Sequence, residues 1–225
     1  MKLNKTIFAV ALATVFGSSS VMASGALSSE EAETLTFMAE EEKLARDVYR
    51  SLYEKWGIQA FSNISGSEER HMGRMLNSLN QYGLSNPVTD DSTGAFENQE
   101  LASLYSELVA KGVSSELAAL KVGGFIEELD IKDLQEAISQ TDRPDLKSSY
   151  ENLMRGSRNH LRAFVKQINQ QESYVAQVLP QAEVDAIVNT PSERGGKGGG
   201  NGNRKGMGHG KGMGNGNGMG RKMNN

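Results

Sequence analysis

The 225-residue chain contains no cysteine. That absence excludes a thiol nucleophile, a Cys-ligated zinc or iron–sulfur site and a disulfide framework, so stability must come from a packed core. Any bound metal must then take nitrogen, oxygen or thioether ligands. A single Trp and a hydrophobic content of 37% make the chain too polar for a multispanning membrane protein. Acidic residues are absent from both ends: residues 194–225 hold seven basic residues and no acid, and residues 1–23 hold two lysines and no acid. All 28 acids therefore lie in residues 24–193, which carry about −13 against +7 on the tail, although the whole chain is only −4. The pattern is an acidic body with a basic appendage.

Residues 1–23 have the form of a secretory signal. Lys2 and Lys5 make a positive start, and Ile7 to Phe16 is an unbroken apolar run too short to span a bilayer comfortably. Val21 and Ala23 put small residues at −3 and −1, so cleavage is expected near Ala23/Ser24. Export of this kind implies a periplasmic or secreted protein with no membrane span after cleavage, and a cysteine-free chain avoids disulfide exchange in that oxidising compartment.

Between Ser28 and Asn169 the periodicity is helical throughout, with no alternating strand pattern, so the expected class is all-α. The first helix starts at Ser28 or Ser29, ends at Gly57 and carries the stripe Leu35, Met38, Glu42, Ala45, Tyr49, Leu52, Trp56. The second, starting after Ser62 and Asn63 and ending at Gly83, reads Ile64, Glu68, His71, Met75, Leu79 (or Ser78), Tyr82. Residues 84–97 are a loop by composition, and the amphipathic piece Gln99 to Lys111 crosses to the third long helix. That helix is capped by Ser114 or Ser115 and reads Leu117, Leu120, Gly124, Glu127, Ile131, Leu134, Ile138. Glu128 falls off the stripe and is expected in solvent. The fourth helix begins around Pro144 and reads Leu146, Tyr150, Leu153, Ser157, His160, Phe164, Ile168 (or Gln167). Each long helix thus places a polar, metal-competent residue mid-stripe, which predicts a four-helix bundle with a polar centre.

Burying several carboxylates without compensation costs several kcal/mol each. Arg46, Arg70, Arg74 and Arg158 are the cations near Glu42, Glu68, His71, Glu127 and His160, and their phase directs them outward. A divalent metal pair is the economical counter-charge. Glu68 and His71 lie three residues apart on one helical face and can offer an oxygen and a nitrogen to the same or adjacent ions.

Four blocks carry a family resemblance over residues 30–168: EEEKLARDVY (Glu40 to Tyr49), SEERHM (Ser67 to Met72), KVGGFIEELDIKDL (Lys121 to Leu134) and GSRNHLRAF (Gly156 to Phe164). The chain resembles the ferritin-like superfamily, and within it the DUF2202 family. The segment from Glu42 to Arg46 is also similar to the first-helix ligand motif of rubrerythrin-like diiron proteins. The resemblance implies a ferritin-like bundle with a long crossover between the second and third long helices. It also implies Glu42 and Glu127 as single-helix ligands, with Glu68 and His71 as one Glu-x-x-His pair. The second pair is half present, because Ser157 stands three residues before His160. Asp130, three residues after Glu127, could supply the missing carboxylate. The full expected metal set is Glu42, Glu68, His71, Glu127, Asp130 and His160, with no catalytic group beyond these ligands.

The resemblance implies a dinuclear iron cofactor, with Mn, Zn or Cu open, and O₂ or peroxide as reactant in an oxidase or ferroxidase. With no thiol and no rubredoxin-like site, electrons would come from an external donor. The competing class is an envelope or stress-related protein that binds metal without turnover. Tyr49 and Tyr150 are candidates for a phenol near the centre. The bundle leaves a homo-oligomer open. Nucleic acid is not an expected partner, because the basic tail lacks stacking aromatics. The expected organisation is a signal at 1–23, the bundle at 24–170, a C-terminal helical extension at 171–193 (Ser173 to Asn189 interrupted at Pro180), and a Gly-rich tail at 194–225. That tail cannot bury enough apolar surface to order itself. Met207, Met213 and Met219 with His209 are soft ligands suited to Cu(I), beside the simpler reading of a basic solubilising extension.

Overall fold

The computed structural model describes residues 25–194, and these residues form six helices and no strand. The leader and its cleavage point, and the tail from Gly195 with its methionines and His209, lie outside the described residues.

Helix α1 (Ser29–Trp56) opens with a reciprocal capping box. Ser28 Oγ accepts from the Glu31 N–H at 3.0 Å, and the Glu31 carboxylate accepts from the Ser28 N–H at 2.9 Å. Gly57 ends the helix in the left-handed region at φ +66, which a side chain would strain. Helix α2 (Gln59–Gln81) starts earlier than the Ser62–Asn63 punctuation suggests. Gly57 reverses the chain at once, only Ile58 remains extended, and docking of the fully buried Phe61 recruits residues 59–63 into the first turns without a side-chain cap. Tertiary burial here overrides a weak local signal.

Helices α3 (Gln99–Gly112), α4 (Glu116–Gln140) and α5 (Pro144–Ile168) match their expected places, with Asn98 and Ser115 as side-chain caps for α3 and α4. Helix α1 packs along α2, and α4 along α5; the two hairpins then meet through α1 on α4 and α2 on α5. Two apolar clusters occupy the two ends of this bundle. One joins Leu52 of α1, Phe61 of α2, Leu120 of α4 and Phe164 of α5; the other joins Leu35, Leu79, Leu134 and Leu146 of the same helices. The C-terminal half of α1 thus lies with the N-terminal halves of α2 and α4, so α2 and α4 run parallel. Residues 82–115 must therefore travel the length of the bundle, and a single long crossover is the connectivity of ferritin-like folds.

The crossover is fastened to α1 by charge. Lys43 Nζ lies 2.7 Å from Asp47 and 2.8 Å from the Ser92 carbonyl. Arg46 reaches Asp47 at 2.9 Å, Glu69 at 2.9 Å and Asp91 at 2.7 Å. Glu40 accepts the N–H groups of Glu97 and Asn98, and Asp47 that of Gly94. Arg46 is therefore buried, contrary to the outward orientation expected from its phase, because the crossover covers that face of α1. Arg70 and Arg74 are exposed as expected.

Two further expectations change at the C-terminus. Residues 169–180 form an irregular strap, and only α6 (Gln181–Val188) is helical in the region from Ser173 to Asn189. Glu128, expected in solvent, is fully buried under that strap. Its carboxylate accepts from Tyr174 Oη at 2.6 Å and from the N–H groups of Gln177, Val178 and Leu179 at 2.9, 2.6 and 2.8 Å. A carboxylate thus caps a turn of backbone that would otherwise bury unpaired donors. Among the described residues, no helix is long and apolar enough to cross a membrane.

Glu128→Ala strands those donors, and the expected loss is about 3 kcal/mol in urea unfolding. Limited proteolysis should then cut first within residues 169–180.

Candidate metal centre

Between the two apolar clusters lies a layer of polar side chains, one or more from each long helix, all buried except His160, which is partly exposed. Glu41 and Glu42 come from α1, Glu68 and His71 from α2, Glu127 and Asp130 from α4, and Ser157 and His160 from α5. Their level follows from the 3, 4 rhythm of each stripe, which keeps the mid-helix residue on the bundle axis. His71 Nδ1 lies 2.7 Å from Glu68 Oε2 and 3.5 Å from Glu42 Oε2. His160 Nδ1 lies 2.8 Å from Glu68 Oε1 and 3.4 Å from Glu127 Oε2. The imidazoles stack with ring centres 5.8 Å apart. Two convergent groups result, Glu42–Glu68–His71 and Glu68–Glu127–His160, each with ligand atoms within 4.8 Å of one another. Glu68 belongs to both, giving one oxygen to each side.

The contacts are close but poorly aligned for hydrogen bonds. Both Nδ1 atoms, Glu42 Oε1 and Glu68 Oε1 have no hydrogen-bond partner although they are buried. Nitrogen and oxygen atoms that approach within 3 Å without donor alignment suit lone pairs directed at a shared cation. Oxygen and imidazole donors are the set for Fe, Mn or Zn rather than for a soft metal. These acidic and His groups could hold a metal.

Neighbouring groups orient the donors. Tyr49 Oη donates to Glu127 Oε1 at 2.5 Å, and its ring packs against both Phe61 and Phe164, which also touch each other. Tyr150, the other candidate phenol, is in the apolar cluster at the far end. Ser157 Oγ has one proton, shared between Asp130 Oδ2 and the Leu153 carbonyl. Asp130 is therefore in the same layer but belongs to neither convergent group, and its Oδ1 has no partner. The structure brings together Glu42, Glu68, His71, Glu127 and His160, and leaves Asp130 beside them.

Periodicity alone missed two contributors. Glu41 is 3% exposed and neither of its oxygens has a partner, but it is one of three consecutive glutamates, which hides its phase. Gly156 permits the seat of His71, since a Cβ there would lie 2.5 Å from His71 Cε1 and 2.8 Å from Nε2. A glycine four residues before a stripe histidine was the available signal.

A family comparison matches residues 31–191 to the description "Uncharacterized protein domain (DUF2202)". The chain belongs to the DUF2202 family. It is 50% identical over 170 residues to an uncharacterized protein of Methanocaldococcus jannaschii, MJ0754, covering 75% of this chain and 92% of that protein. The crystal structure of hypothetical protein MJ0754 matches with a TM-score of 0.74 at 48% identity, covering 77% of this chain and all of that one. Residues 31–191 include every residue of the polar layer of this DUF2202 chain.

Charge coupling in the layer is strong. Burial alone would lower the His71 pKa, but the Glu42 and Glu68 carboxylates outweigh it and push it up to about 11. His160 is likewise raised to about 10 against burial by Glu68 and Glu127. Burial raises Glu42 to about 7 despite His71, whereas His160 and His71 together overcome burial and hold Glu68 well below the usual carboxylate range. Burial, reinforced by neighbouring carboxylates, also raises Glu127 and Asp130.

The signs combine into one expectation. Glu42 stabilises the metal-free fold fully below its ordinary 4.5, and that contribution is lost as pH rises through about 7. The histidine contributions are full below 6.5 and are lost as pH rises toward 10 and 11. Glu68 acts oppositely, but only below its ordinary 4.5. Metal-free protein should therefore have a higher Tm at pH 5.5 than at pH 8.5. Loading with a divalent cation at pH 7 should release one proton from each imidazole together with the fraction still held by Glu42, measured by calorimetry in buffers of different ionisation enthalpy. Gly156→Ala should displace His71 and weaken metal affinity by at least about tenfold, with a loss of about 1–3 kcal/mol of stability from overpacking.

Proposed function

We propose that the protein is exported to the periplasm or secreted, holds a dinuclear non-haem iron centre, and oxidises Fe(II) with O₂ or peroxide. The observation that carries this reading is Glu68, whose two oxygens serve two carboxylate–imidazole groups with unpartnered buried donor atoms. A carboxylate shared in this way suits two ions held close together. Glu42 and His71 hold one side, and Glu127 and His160 the other. The one-crossover bundle with donors from four helices is the arrangement in which ferritin-like carboxylate proteins build such centres. Two iron ions there would supply two electrons, as Fe(II) becomes Fe(III), to reduce O₂ to peroxide or peroxide to water.

The chain's own residues set the conditions for that chemistry. Tyr49 fixes one oxygen of Glu127 and leaves the other for the centre. The apolar clusters on either side exclude water along the bundle axis, which strengthens every charge interaction in the layer. Export is supported by the leader sequence, with Lys2, Lys5, the Ile7–Phe16 run and Ala23 in signal-peptide order. Fresh Fe(II) would be the external electron donor for repeated turnover, since a cysteine-free chain has no thiol relay.

Anaerobic loading of the purified protein with Fe(II), followed by air or peroxide, tests the reading. Rapid oxidation at two irons per chain, abolished in Glu68→Ala, is expected. Binding of metal with only background oxidation would leave a metal-binding protein without turnover, and failure to bind would end the metal-centre reading.

A further inference from the structure

A ladder of acids leads away from the centre along α4. Glu127, Asp130 and Asp133 follow one another at intervals of three along α4. Each such step advances about 4.5 Å along a helix and falls about 60° short of a full turn, so the ladder winds from the bundle axis outward. The burial follows that winding. Glu127 is 2% exposed and Asp130 is 7% exposed, while the Asp133 side chain reaches 21%. Glu41 of α1 stands across from the ladder, with Asp133, Asp130 and Glu42 as its charged neighbours.

What distinguishes this cluster from an ordinary acidic patch is that no cation or N–H group reaches its buried end. Neither oxygen of Glu41 has an aligned hydrogen bond, the Asp133 carboxyl being the nearest group with which it could share a proton, and Asp130 Oδ1 is buried without a partner. The other buried charges outside the centre are saturated: Lys43, Arg46, Asp47, Glu40 and Glu128 all have close partners. At the outer end, Lys132 Nζ rests on Asp133 at 3.1 Å from a side chain that is half exposed. Oxygen-only ligands presented in series, without the close convergence of the centre, suit brief and exchangeable contact with a hard divalent cation.

From this we infer that Asp133, Glu41 and Asp130 form the path by which a divalent cation travels from the α1/α4 surface to the Glu42–Glu68–Glu127 layer. The inference rests on the metal-centre reading above. Asp133 collects the ion as Lys132 swings away, Glu41 passes it inward, and Asp130, steadied on its other oxygen by Ser157, delivers it to the ligand carboxylates. The path controls the rate of loading and leaves the final occupancy to the centre.

Stopped-flow mixing of the full-length metal-free protein with Co(II) follows uptake through the visible bands of the bound ion. Glu41→Gln and Asp133→Asn keep the side-chain shape and remove the charge, and each should slow loading at least about tenfold, as expected for loss of a charged funnel. The final stoichiometry and bound spectrum should equal those of the unaltered protein. Asp133 is partly exposed, so its variant remains informative if Glu41→Gln disturbs folding. Normal loading rates in both variants would overturn the path, as would a lower stoichiometry, which would make these residues ligands. Absence of Co(II) binding by the unaltered protein, or binding insensitive to Glu68→Gln, would instead show that the metal-centre reading itself has failed.

Discussion

Burial of carboxylates at the centre of a helical bundle is the constraint around which this molecule is arranged. Glu41, Glu42, Glu68, Glu127 and Asp130 occupy one layer, where the cost of each ionised group is several kcal/mol unless opposite charge or hydrogen bonds offset it. Two imidazoles supply part of the compensation, enough to hold Glu68 ionised, yet burial still raises Glu42, Glu127 and Asp130. The apolar clusters above and below provide the stability that tolerates this layer, and their low polarity strengthens its electrostatics. A cation bound in the layer would replace protons as the balancing charge, and binding there would then be linked to stability.

Charge outside the layer is managed in the opposite way. Lys43, Arg46 and Asp47 are as deeply buried as the central glutamates, but each reaches partners on α1, α2 or the crossover. That network ties down the long connection which makes α2 and α4 parallel. The consecutive residues Glu127 and Glu128 have different tasks for the same reason. Glu127 turns inward to Tyr49 and His160, whereas Glu128 turns outward and saturates its oxygens with the strap at residues 174–179. The run from Glu40 to Glu42 divides similarly among the crossover, the acid ladder and the centre.

How much of this was legible beforehand depends on the kind of pattern involved. The helical stripes survive almost residue by residue, because hydrophobic periodicity reports burial in a bundle directly. Glu42, Glu68, His71, Glu127 and His160 were visible as polar interruptions of those stripes, and they converge. Asp130 has the right phase to reach the layer, but Ser157 holds one of its oxygens and it stands beside the two groups. Arg46 and Glu128 were misplaced because a helical wheel sees only its own helix. The crossover buries the one and the strap buries the other. The start of α2 at Gln59 was missed because packing of Phe61, with no capping side chain, defines it.

The sequence by itself determined the class of fold, the level of the polar layer and the chemical identity of its donors, since periodicity and the absence of cysteine are local and compositional properties. Tertiary structure decided which donors meet. Glu68 becomes the shared carboxylate only because α1, α4 and α5 present Glu42, Glu127 and His160 around it, beside His71 of its own helix. Glu41 becomes a buried acid without a partner only when α4 sets Asp130 and Asp133 against it. Distances of a few ångströms between different helices arise from packing, and no spacing along one helix encodes them.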